Sequence, residues 1–179
     1  MASRLWILIA TAFAAIVFAV PEARAQTSAS EVKAAFLPRF ARYVTWPPSA
    51  RPSGSEPFVL CVIGNDPFGN SLDVAVRSQS VDGRRIVVRR MDSASGSGGC
   101  HIAFVAGSRS QPIGQQLAAL RGRPILTVTD SGNGGQHGMI HFSIVSGRVR
   151  FFIDEAEARG RGLTISSRLL ALAIGVTQR

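Results

Sequence analysis

The chain has 179 residues, 46% of them apolar, with 20 Lys+Arg against 11 Asp+Glu. That length suits one domain with a sizeable core, and that apolar fraction excludes a disordered chain. Lys33 is the only lysine, so the basic surplus reads as a uniform arginine bias and not as a groove built for nucleic acid.

The first 25 residues set the compartment. Arg4 supplies a positive start, Leu5 to Val20 an apolar run, and Ala23-Arg24-Ala25 a small-x-small cleavage site before Gln26. This is the layout of a secretory signal peptide. The run is shorter than the roughly 20 residues of a spanning helix, and Pro21-Glu22 interrupts it. The sequence therefore predicts a signal peptide over 1–25, cleaved after Ala25, and an exported domain over 26–179. Removing Arg4, Arg24 and Glu22 leaves 18 basic and 10 acidic residues, a net charge of +8. Such a surplus favours encounter with anionic membrane surfaces.

After a polar lead, Ser30 can cap a helix starting at Glu31, whose stripe is Val32, Phe36, Phe40 and Val44. Pro38 sits inside it, and Trp46-Pro47-Pro48 ends it before a Pro/Ser-rich connector. Phe58 to Ile63 reads as a strand buried on both faces. Asp66-Pro67 then opens a short helix through about Val76. Asp82-Gly83 turns the chain into Ile86-Val87-Val88, a short edge strand flanked by arginines. Ser93 to Gly99 reads as a mobile Gly/Ser linker.

A second buried run covers Ile102 to Val105, a helix Ile113 to Leu120, and a third buried strand Ile125 to Thr129. Met139 to Val145 and Arg148 to Ile153 form a hairpin around Ser146-Gly147. A closing helix carries Leu163, Leu169, Leu170, Leu172, Ala173 and Val176. Strands alternating with helices, then an antiparallel hairpin, predict a single-domain α/β fold. Its mixed sheet is flanked by helices, with a C-terminal hairpin and a final helix.

The two cysteines, Cys61 and Cys100, read as one disulfide in an oxidising compartment, with two buried free thiols as the alternative. The chain carries few residues in catalytic or metal-binding patterns. His101, His137 and His141 lack partners at zinc-site spacing, so no metal site is expected. Gly132-Asn133-Gly134-Gly135 follows a strand but opens no helix, which a phosphate cradle needs. Asp130 with Asn133 lacks the later ligands of a calcium loop. Ser166-Ser167 lacks the glycines of a nucleophile elbow. Asp154, Glu155 and Glu157 suit a helix start better than paired acid–base work. The expectation is a protein that is not an enzyme and uses no cofactor.

Several segments together resemble the YfiR family of periplasmic regulators. They are Val32-Lys33-Ala34-Ala35-Phe36-Leu37, Phe40-Ala41-Arg42-Tyr43-Val44-Thr45-Trp46-Pro47, Cys61-Val62-Ile63-Gly64 and Asp66-Pro67-Phe68-Gly69. Further on come Cys100-His101-Ile102, Ile125-Leu126-Thr127-Val128, Gly138-Met139-Ile140, Val149-Arg150-Phe151, Ile153-Asp154 and Gly162-Leu163 with Ser166-Ser167 and Leu169-Leu170. The resemblance implies a repressor that binds the periplasmic sensor domain of an inner-membrane diguanylate cyclase. A sensor kinase is the related partner class. It also implies release through an outer-membrane lipoprotein, a homodimer, and a disulfide at the Cys61 and Cys100 positions. The second cysteine pair of some members is absent here, and Asp154 stands where the family usually has Asn.

Repression needs only binding that differs between the partner's two states. Phe142, Ile153 and Leu163 are the candidate contact residues, with core packing the favoured reading for each, since strand and helix apolars usually face inward. A rival reading is a small-ligand module with its pocket near Gly132 to Gly138. Another is a hydrolase using His101 or His141.

Overall fold

The computed structural model describes residues 22–133 and 135–179. The apolar run of the predicted export signal lies outside the described residues. In chain order the elements are α1 (Glu22–Phe40), β1 (Val44–Thr45), β2 (Phe58–Gly64), α2 (Asn70–Arg77) and β3 (Ser80–Val81). Then come β4 (Arg84–Met91), β5 (Ile102–Gly107), α3 (Ile113–Ala119), β6 (Leu126–Asp130), β7 (Ile140–Val145) and β8 (Arg148–Asp154). The chain closes with α4 (Glu155–Gly160), β9 (Thr164–Ile165), α5 (Ser167–Leu170) and β10 (Gly175–Thr177). Among the described residues, no helix is long and apolar enough to cross a membrane.

Eight strands form one mixed sheet in the order β10-β8-β7-β6-β5-β2-β4-β3, while β1 and β9 pair separately. Strands β4, β2, β5, β6 and β7 run parallel; the β7–β8 hairpin and β3 are antiparallel, and β10 runs parallel to β8. β2 is buried along both faces, as a continuous apolar run requires when helices cover both sides. One face carries the α1–α2 core, in which Phe40 meets Phe142 at 5.6 Å and Phe151 edge-on at 5.3 Å. The other carries a smaller core under α3, including Cys61, Ile63, Val105, Ile113 and Leu120. The hairpin turns on Ser146 and Gly147, both at positive φ (50° and 72°). That conformation matches the twist of the flanking strands.

Four elements differ from the sequence reading. The described part of α1 begins at Glu22, so Ser30 lies inside it and is no cap. A strict four-residue spacing drifts around a helix by about 40° per step. The buried stripe is accordingly Ala34, Leu37, Phe40 and Ala41, leaving Val32 exposed and Val44 in β1. α2 starts late because Asp66 accepts the Phe68 N–H in a local turn, and Gly69 takes a non-helical conformation at φ 49°.

The Ser93–Gly99 segment is held. Gln116 of α3 accepts the Ala94 N–H at 2.7 Å and donates to the Asp92 carbonyl, while Ala94 and Ser97 are buried. The final helix is only the single turn α5, capped by Ser166. Beyond it, Gly175 to Thr177 add a strand along β8, because that open edge offers backbone partners an isolated helix turn lacks.

Candidate functional site

The cysteines meet because their strands are neighbours. Cys61 lies mid-β2, opposite Ala103 of β5, and Cys100 stands two residues before β5 begins. Their Cα atoms are 5.9 Å apart and a disulfide joins them, closing a separation of 39 residues. Both are buried in the α3-side core. The pinned Ser93–Gly99 turn delivers Cys100 to this place.

His101 and His141 are buried at opposite ends of the strands. His101 stacks on Phe58 at 4.5 Å, and its Nδ1 accepts the Val59 N–H. His141 lies beneath His137, the rings 3.7 Å apart, with its Nδ1 2.8 Å from the Thr129 hydroxyl. That hydroxyl accepts the Gly138 N–H, leaving its own proton for the imidazole. Both histidines are therefore anchored as neutral rings. Burial pushes each pKa below the ordinary 6.5, with nearby His137 and Lys33 adding to the effect at His141. Asp130 near His141 and Glu56 near His101 oppose it.

Unfolded histidines take up protons that these folded rings resist. Their contribution to stability is therefore whole above about pH 6.5 and is lost as pH falls through the lower folded pKa values. Urea midpoints at pH 7.5 and 5.5 check this, and the acid midpoint should be lower. Equal midpoints would contradict it.

An ion pair that sequence reading missed ties α1 to the end of β6. Lys33 Nζ and Asp130 Oδ2 are 2.5 Å apart, both side chains almost fully buried. The other oxygen of Asp130 accepts the Gly132 N–H at 2.9 Å. Both carboxylate oxygens are thus engaged within the fold. The available signal was a lone lysine on the apolar face of a helix.

The three candidate contact residues are core residues, the favoured of their two readings. Phe142, Ile153 and Leu163 are 0%, 1% and 1% exposed, all in the α1-side core. Inward positions of β7 and β8 alternate with outward ones, and these two strand residues point in. The large apolar side chains that do reach the surface in this region are Ile144, Val145, Phe152, Leu172 and Ile174. Phe152 lies over Gly175 of β10, on the opposite side of the sheet from Ile153.

The order β4-β2-β5-β6-β7 is that of a doubly wound sheet, which holds ligands at the carboxyl ends of the strands where the winding reverses. Here that place lies between β2 and β5, and it is closed. Asn65 donates to the Gly107 carbonyl at 2.9 Å, and a Cβ on Gly64 would stand 2.3 Å from the same oxygen. Of the segment expected to form a pocket, Gly138 is packed into the fold. Gly138 lies against the β6 backbone, and a Cβ there would meet the Thr127 carbonyl oxygen at 2.9 Å. A cleft of about 730 Å³ lies instead at the amino ends of β2 and β4. Among the described residues, no group of three or more His, Cys, Asp or Glu could hold a metal.

These features define a cross-linked, doubly wound α/β domain extended by a hairpin, with His101, His141, Gln116 and the Lys33–Asp130 pair tied into the fold. The sequence model of the YfiR/HmsC-like family matches residues 30–174, and the chain belongs to that family. No curated protein matches it.

Proposed function

We infer that this protein is an exported, non-enzymatic regulator. It binds the periplasmic sensor domain of an inner-membrane signalling enzyme, a diguanylate cyclase, and holds it inactive. The family match across 30–174 carries this reading. The residues agree with it: the histidines, Asp130 and the cysteines are occupied structurally, and repression requires only binding energy that favours the partner's inactive state. Residues 1–25 are the export signal in this reading, and 26–179 are the delivered domain. Tagged protein should recover a cyclase from inner-membrane extract, and loss of the protein should raise cyclic-di-GMP. Repeated recovery of no cyclase or sensor kinase would sink the proposal.

The contact surface in this reading is the exposed apolar set of the C-terminal third. Exposed apolar anchors carry most of the energy of protein contacts, whereas core residues act through folding. Phe152→Asp and Leu172→Asp should each weaken cyclase capture about tenfold, which corresponds to about 1.4 kcal/mol. Leu172→Asp should leave the melting temperature nearly unchanged, since Leu172 is 61% exposed. Phe152→Asp also loses packing over Gly175 and should lower it modestly, so capture is compared at a temperature where both variants are folded. Undiminished capture by both variants would place the contact elsewhere.

A further inference from the structure

We propose that the cleft at the amino ends of β2 and β4 binds a small polar organic anion bearing a phosphate or carboxylate group. One wall is the segment after α1, with Arg42 and Thr45; the other is the β3–β4 turn, with Ser80 and Arg84; Arg51 closes the side. Its volume, about 730 Å³, falls in the ordinary range for metabolite sites.

Three guanidinium groups line this cleft against one carboxylate, that of Asp82. Two of the three are held by backbone carbonyls. Arg51 Nε donates to the Trp46 carbonyl at 2.8 Å, and Arg84 Nη1 donates to the carbonyls of Gly54 and Glu56. A guanidinium has five N–H donors, so each keeps donors beyond those engaged. Arginines fixed this way are preorganised for the paired oxygens of phosphate or carboxylate. Hydroxyl groups of Thr45 and Ser80 add neutral partners, and Trp46 and Phe58 form a buried aromatic floor. Arg90 shows the contrast: Asp66 and Asp73 pair with it on the surface, so a basic residue of this sheet edge is neutralised where no ligand is called for. The inference stands whether or not the regulatory reading holds, because it rests on the cleft alone.

Isothermal titration at low ionic strength with phenyl phosphate, benzoate and inorganic phosphate tests it. Saturable binding of one molecule per chain is expected for at least one organic probe. Saturation by phenyl phosphate supports a phosphate-bearing ligand, and saturation by benzoate a carboxylate. Binding by inorganic phosphate alone overturns the organic assignment. Combined Arg42→Gln, Arg51→Gln and Arg84→Gln should weaken binding tenfold or more. The same loss of charge at exposed Arg109, Arg148 and Arg150 should leave it unchanged. Ser80→Trp fills the cleft without removing charge and should also abolish binding, which guards against a charge variant that folds poorly. No saturation by any probe, or equal weakening by both charge variants, overturns the site.

Discussion

Replacing Cys61 and Cys100 together with alanine is expected to lower the unfolding free energy by about 4 kcal/mol, from the loop-closure entropy that the cross-link removes from the unfolded chain. The loop spans 39 residues and includes α2, β3 and β4. Without the bond, the unfolded chain regains all the freedom of that stretch. The folded side loses less, because β2 and β5 stay paired and Gln116 still holds the turn before Cys100. For a domain of this size that is a large fraction of total stability. Urea unfolding of oxidised, reduced and double-alanine protein separates the contributions. The reduced and double-alanine forms should unfold together, both well before the oxidised form. Coincident curves for oxidised and reduced protein would show that the cross-link contributes nothing. Both cysteines are buried, so reduction of the native protein should wait on local opening and be slow without denaturant.

The legible parts of this fold are those whose cause is local. β2 announces itself because six consecutive apolar residues bounded by turns have few other uses. The hairpin is visible because Ser146-Gly147 fits a two-residue turn and the flanking residues alternate. Long-range choices were hidden. The Leu-rich C-terminal stretch has helical composition, yet its last residues pair with β8, because the open sheet edge supplies backbone partners that propensity does not count. Chemistry alone left Phe142, Ile153 and Leu163 open to contact or core. Which face of a strand points inward depends on register, and register turns Phe142 and Ile153 into the α1-side core, where Leu163 joins them from the segment before β9. The cleft was invisible for a related reason. Arg42, Arg51 and Arg84 come from separate segments, and nothing in their spacing announces that they share a wall. At the candidate site, only the cysteine pair could be read directly, since two cysteines leave each with one possible intramolecular partner.

The second large effect belongs to Lys33 and Asp130. Changing either alone, as Lys33→Met or Asp130→Leu, should cost about 3–5 kcal/mol, because the remaining charge stays buried without its partner. Changing both should cost less than either single change, since an apolar pair of similar volume needs no counter-charge. The pair spans 97 residues of sequence, so it fastens the N-terminal helix to the middle of the sheet, and each single variant should loosen α1 first. Hydrogen exchange in α1 would report that loosening, and a double-mutant cycle in urea would report the coupling. Lysine is the residue this chain otherwise replaces with arginine throughout, and the site explains its retention. Arginine would bring five donors where an ammonium brings three, and the carboxylate it faces already spends one oxygen on the Gly132 N–H. Lys33→Arg should therefore also destabilise, although it keeps the charge. Single variants that unfold within about 0.5 kcal/mol of the parent, the range of ordinary surface substitutions, would mean that water reaches the pair and that α1 is held by its apolar stripe alone.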